Sequence, residues 1–250
     1  MDIRVRGSGP AEPFLGAASL FETEHELQRP VHVEIRTDPD ERTRVSHDDG
    51  AHQLIISKQA ATSAMARELA LHEFAHMYRH ERRHPSHVQS TDEVLFLALA
   101  GQSVERRKIT HCYQIANHVK DIYADDLWVG LAPGEKLVRF FESTLAAALA
   151  DRPVDPAPAW TRRTSASDPD ITAVNAAFAL ALSERHELLE AGHPLYDLAH
   201  AAARDAPNVS LEGFKHRFLT LDPDPDASAY RKSMVELTRE YALDDRQAAD

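Results

Sequence analysis

Apolar and polar positions change period several times along the chain, and each change predicts an element. Val31, Val33 and Ile35 alternate with His32, Glu34 and Arg36, the period-2 pattern of a half-buried strand. A second apolar run, Leu54-Ile55-Ile56, follows the charged, turn-rich stretch from Asp38 to Gly50, so a small sheet is expected ahead of a helical body. Before it, Phe14 to Gln28 is compatible with a short amphipathic helix, and the opening decapeptide, ending Gly7-Ser8-Gly9-Pro10, reads as a flexible entry. Ala60 to Arg83 contains no Gly or Pro and is rich in helix formers, which predicts one helix closed near Pro85. Met65, Leu69, His72 and His76 share a face of it, with the apolar pair extending a buried stripe. Ser90 or Thr91 is a fitting cap for a helix to about Arg107, followed by helices from about Thr110 to Leu127 and from Gly134 to Ala150. Four more are expected over Ile171–Ala191, Leu195–Asp205, Ser210–Leu221 and Ala227–Tyr241.

Residues 151–170 hold Pro153, Pro156, Pro158 and Pro169 with no apolar periodicity, and read as a linker between a first domain, 1–150, and a helical C-terminal region, 171–250. The expected class is α+β, mostly helical, with a small N-terminal sheet and a C-terminal helical appendage. At 250 residues, 43% hydrophobic and 27% charged, the composition is that of a globular chain that can bury a core. The longest apolar stretch, Val94 to Gly101, is less than half of the roughly 20 residues a membrane span needs. No apolar run near Met1 suggests a secretory signal. A net charge of −12 argues against nucleic-acid and anionic-membrane partners. Cys112 is the only cysteine, which excludes an intrachain disulfide and a thiolate-rich metal cluster, and makes a reducing cytoplasm the expected compartment. Arg outnumbers Lys by 22 to 6, a balance that suggests a salt-adapted or GC-rich source and looks like that of chains from salt-loving archaea.

The candidate chemistry lies in His72-Glu73-Phe74-Ala75-His76, an HExxH sequence. Two His four residues apart on a helix can direct both imidazoles at one Zn2+. Glu73, turned about 100° from His72, is not a third ligand but can take a proton from water at the metal and return it to a leaving amine. An open catalytic site needs a third protein ligand. Asn117, Asp121 and Asp125, spaced i, i+4, i+8, share a helical face and can point at the first helix, and a solvated acidic face is the plain alternative. His80, His84 and His87 extend the histidine ladder, either as a substrate or second-metal site or as a basic, partly exposed helix end.

HExxH followed by Asp121-Ile122-Tyr123-Ala124-Asp125 resembles the HExxH…ExxAD pattern of gluzincin metallopeptidases, especially the HtpX and CAAX-prenyl-protease type and their soluble minimal relatives. The likeness covers residues 50 to 130, with Asp in place of the ligand Glu and without the membrane spans of the HtpX type. It implies a zincin-like core in residues 1–150, His72, His76 and Asp121 as zinc ligands, Asp125 holding a ligand His, Asn117 beside them, and Glu73 as the catalytic base. Glu93, whose spacing is similar to that in IrrE-like soluble zincins, and Glu105 are rival third ligands. The metzincin pattern fails, since Arg79 and Arg82 stand where it needs Gly and His. The implied activity is zinc-dependent hydrolysis of a peptide or protein substrate. The alternative is a zinc-binding regulatory or interaction protein of the same fold without general peptidase activity.

Overall fold

The structure is a computed structural model that describes residues 1–48, 50–151 and 168–243. It is mostly helical, with one four-stranded sheet near the N-terminus. The strands are β1 (Ile3–Gly7), β2 (Val31–Arg36), β3 (Arg44–His47) and β4 (His52–Ser57), in the order β1-β2-β4-β3. β1 and β4 flank β2 in parallel, and β3 closes the edge antiparallel to β4. The alternation in β2 is as its pattern predicts: Val31, Val33 and Ile35 are buried, and the residues between them are not. Two strands lie outside the sequence expectation. The supposed flexible entry forms edge strand β1, and β3 lies within the stretch read as turns. Both are short, partly exposed edges with little apolar signal to read.

Packing divides the chain into two units, Met1–Val88 with Tyr123–Pro133, and Gln89–Ile122 with Gly134–Asp250. This differs from a division at residues 151–170, because helices ahead of that segment pack with the C-terminal ones. The segment itself lies outside the described residues, apart from Asp151 and Asp168–Asp170.

In the first unit, α1 (Glu12–Phe21) is shorter than its pattern suggested and packs on α3 (Ala66–Glu81). The helix expected from Ala60 to Arg83 is broken. α2 (Lys58–Ala61) ends where the hydroxyls of Thr62 and Ser63 turn back to the carbonyls of Lys58 and Ala60, at 2.9 and 2.8 Å. Such side-chain bonds compete with the helical ladder, and α3 starts afresh at Ala66. At its far end α3 is tied down by Glu81, whose carboxylate accepts the backbone N–H groups of Gln28 and Arg29, each at 2.8 Å, and His52 Nε2 at 3.0 Å. That fixes the helix against the start of β2 and against β4. The chain then reverses. Arg83 takes φ +55°, its N–H bonds the carbonyl of His80, and the N–H of His84 reaches back to Arg79. This is the glycine-favouring Schellman end with an arginine in the left-handed position, at a cost of roughly 1–2 kcal/mol. It sends α4 (Pro85–Val88) back along α3.

The second unit holds α5 (Thr91–Leu99), most of α6 (Arg106–Trp128), α7 (Glu135–Ala150), α8 (Pro169–Arg185), α9 (Pro194–Arg204), α10 (Leu211–Leu219) and α11 (Ala227–Leu243). Ser90 caps α5 as expected, but the helix stops at Leu99 with Gly101 at φ +75°, and α6 begins earlier than predicted. α8 is buried nearly all round, as a central helix must be, and ends at Arg185 rather than Ala191. One stripe of α6 meets the start of α8 and its Asn175, while Glu184 and Arg185 at its end bond Lys215 and the carbonyls of Leu219 and Leu221. Arg107 reaches Asp168 and Asp170 at 2.8 and 2.9 Å, while Gln114 and His118 share the Oδ1 of Asn175. His111, between them on the same stripe, bonds the hydroxyl of Tyr241 on α11.

Beside the Glu81 anchor, His47 and His52 pair across β3 and β4 at 2.8 Å between their Nδ1 atoms, and His80 stacks on His47 at 3.7 Å. Burial, with the neighbouring His80 and His52, pushes His47 down to about 4, and burial also lowers His52 and His80. Burial opposes the charge of Glu81, but the two backbone N–H groups and His52 outweigh it and hold that carboxyl low. The folded state therefore binds fewer protons than the unfolded one below the ordinary histidine value of 6.5. Stability is expected to be full above pH 6.5 and to fall as the pH drops from about 6.5 toward 4, followed as the midpoint of urea unfolding. His47→Phe should flatten that slope, and an unchanged slope would contradict this origin.

Candidate metal centre

The HExxH segment lies in the middle of α3, and its rotation is set by what the helix buries. Leu71, Phe74 and Ala75 are fully buried, with Phe74 packed edge-on against Phe21 at 6.2 Å. Burying such a ring contributes about 1.5–3 kcal/mol, so the two x positions of the motif hold the helix down. His72, Glu73 and His76 then fall on the opposite, partly exposed side. Met65 and Leu69, expected to continue a buried face with the histidines, are only half-buried and share this open side.

The carboxylates come from α6. Its polar stripe through Arg107, His111, Gln114 and His118 continues at the same spacing to Asp121 and Asp125. Asp125 is 3% exposed, and its Oδ1 lies 2.7 Å from His72 Nδ1 and 2.5 Å from the indole nitrogen of Trp128. One turn earlier on the same unbroken helix is Asp121. One ligand atom each from His72, His76 and Asp121 lies within 4.8 Å of the others, and these three could hold a metal ion. No other such group of three exists among the described residues. Glu93 and Glu105, the rival ligands, are exposed and outside it, as is Asn117, a further turn up α6. Tyr123 is buried core, and His118 stacks on Phe178 at 4.3 Å. Cys112 is fully buried and its thiol is pushed up to about 12 by burial, so it remains a neutral core residue.

The hydrogen bonds at the first ring determine which of its nitrogens carries a proton. An indole N–H can only donate, so Asp125 Oδ1 is an acceptor, and His72 donates to it from Nδ1. In a neutral imidazole that leaves His72 Nε2 as the acceptor. The second ring is linked to a longer run of bonds. The backbone N–H of Ser86 donates to His84 Nδ1 at 3.3 Å, and the Ser86 hydroxyl lies 2.7 Å from the same nitrogen. Ser86 Oγ is also 2.7 Å from His87 Nδ1, and His87 Nε2 is 2.7 Å from His76 Nδ1. The His72 and His76 Nε2 atoms face each other at 2.9 Å. With the carboxylate of Asp121 beside them, the two imidazoles make a donor set that could hold a metal ion.

His72, His76, Asp121 and Asp125 are legible in the sequence, whereas Trp128 and the role of His87 are not. The former sits three residues after Asp125 on α6. The latter is set by a chain reversal with no glycine to announce it.

The fold and site thus define a mostly helical α+β protein with a two-histidine, one-carboxylate cluster on an HExxH helix. Residues 1–243 match the family described as "Family of unknown function (DUF5781)", and the chain belongs to it. No curated protein and no solved structure matches the chain. No helix among the described residues is long and apolar enough to cross a membrane.

Carboxylates behind metal-binding histidines commonly contribute 10–100-fold to metal affinity. If the cluster holds a metal ion, Asp125→Ala should weaken its binding by about that factor in competition with a chelator. Unchanged affinity would mean that His72 does not depend on this carboxylate.

Proposed function

We propose that the protein is a zinc-dependent peptidase of the zincin type. The observation that carries this reading is the pair of facing His72 and His76 Nε2 atoms, 2.9 Å apart, with Asp121 beside them and Glu73 next to His72 in the motif. Two imidazoles and a carboxylate are the ligand types of catalytic zinc sites that keep a position open. A structural zinc would fill all four positions with protein ligands and would have no use for an adjacent base. When bound, the zinc ion would supply Lewis acidity toward a peptide carbonyl and lower the pKa of water to near neutral.

The chain's own groups divide the remaining work. Asp125 fixes the His72 ring through Nδ1, and the bond to His87 fixes the His76 ring, so neither imidazole need reorganise as charge develops. Glu73 is partly exposed on the open side of α3, where a carboxylate can accept a proton from attacking water and pass it to the departing amine nitrogen. Peptide or protein is the substrate class this chemistry serves, as the likeness to gluzincins implies. No nucleic acid or membrane enters this reading.

Glu73→Gln should keep zinc at the wild-type level and lower peptide hydrolysis by at least about 100-fold, whereas His72→Ala should lose both. The checks are metal analysis and cleavage of an unstructured peptide library. Wild-type protein that holds zinc but cleaves nothing would favour the zinc-binding regulatory protein. Hydrolysis that survives in Glu73→Gln would remove Glu73 as the base.

A further inference from the structure

We infer that His87 is a positioning residue for the metal centre, acting through His76, with Ser86 and His84 setting its tautomer. The inference rests on the metal-site reading above and assigns it a part beyond the ligands. The two ligand histidines are backed differently. His72 donates to a carboxylate, Asp125, whereas His76 donates to a neutral imidazole, His87 Nε2, at 2.7 Å. An imidazole accepts a proton bond only in the tautomer whose hydrogen is on the other nitrogen. That tautomer is supplied by a chain pointing away from the centre, from His87 Nδ1 to Ser86 Oγ and from the Ser86 hydroxyl to His84 Nδ1. The backbone N–H of Ser86, bound to the same His84 nitrogen, sets the direction of the whole chain. Ser86 is fully buried and His84 is 6% exposed, so water does not compete along its inner half.

Local structure explains why these groups meet. His87 is eleven residues past His76, three turns of helix, and would lie far along the axis had α3 continued. The left-handed Arg83 and the bonds His84 N–H to Arg79 and Arg83 N–H to His80 fold α4 back instead. The His84 ring packs against Tyr123 of α6 at 4.8 Å, which anchors the far end of the chain. A strained backbone residue thus serves to aim an imidazole at the ring that needs it. Through this chain His76 Nε2 is kept as a lone pair directed at the ion. The ring acquires that orientation without a second buried carboxylate, so the donor set has less negative charge than two carboxylate-backed histidines would give.

The test uses the full chain and two readouts, one of which needs no metal. In metal-free protein, long-range 1H–15N correlation of the histidine rings should show His87 protonated on Nδ1 and His84 on Nε2, with His76 protonated on Nδ1. In His87→Phe, which keeps the ring volume, His76 should become a mixture of tautomers. Chelator competition with Zn2+ should then show affinity lowered by about 10–100-fold, and His87→Gln, whose carbonyl can accept the same proton, should recover part of it. Ser86→Ala should mix the His87 tautomers without removing its ring. His87 protonated on Nε2 in wild type, or full zinc affinity in His87→Phe, overturns the proposal. If wild type takes up no zinc, the metal reading fails, and the tautomers of His76 and His87 still decide whether His87 orients His76.

Discussion

The Nε2 atoms of His72 and His76 meet at 2.9 Å, and the groups behind each ring hold the two imidazoles in that arrangement. Asp125 and Trp128 do this for one ring, and the run through His87, Ser86 and His84 does it for the other. A solvated histidine pair would have water in those places and no reason to hold either tautomer. Asp125, Ser86 and His84 are buried, and burying such polar groups is costly without partners.

Three stretches of chain contribute to that cluster. α3 is clamped through Phe74 in the middle and Glu81 at its end, which leaves the histidines on its open side. α6 delivers Asp121 and Asp125 from the same stripe that, further up, bonds α8 and α11. The Schellman turn at Arg83 returns α4 onto α3. α3 relies on ring burial and on charge-assisted bonds to backbone N–H groups, α6 on side-chain bonds to its neighbours, and the turn on a local backbone conformation that an arginine adopts at a cost.

What the sequence could reveal follows from the range of each force. Alternation in β2 and the breaker-free, apolar spacing of α3 and α7 are local, and those elements are legible. HExxH and the Asp121/Asp125 spacing are local too, and the structure groups the same residues. β1 and β3 carry little apolar signal, two residues (Ile3 and Val5) in β1 and one (Val45) in β3, because edge strands are defined by their neighbours. The break at Thr62 and Ser63 depends on hydroxyls that a helix can also accommodate. The packing of 89–122 with the C-terminal helices is a tertiary choice that a proline-rich segment at 151–170 does not reveal. His87 looked like one more member of a basic helix end, since nothing in a row of His and Arg shows that the chain reverses after Arg82.

The most direct test of the central claim is X-ray absorption at the zinc edge of protein loaded with one equivalent of Zn2+. The expected spectrum has a shell of nitrogen and oxygen at about 2.0–2.1 Å, with outer-shell scattering from two imidazoles and no sulfur. A spectrum of fully hydrated zinc, or one requiring three or more imidazoles, would contradict it.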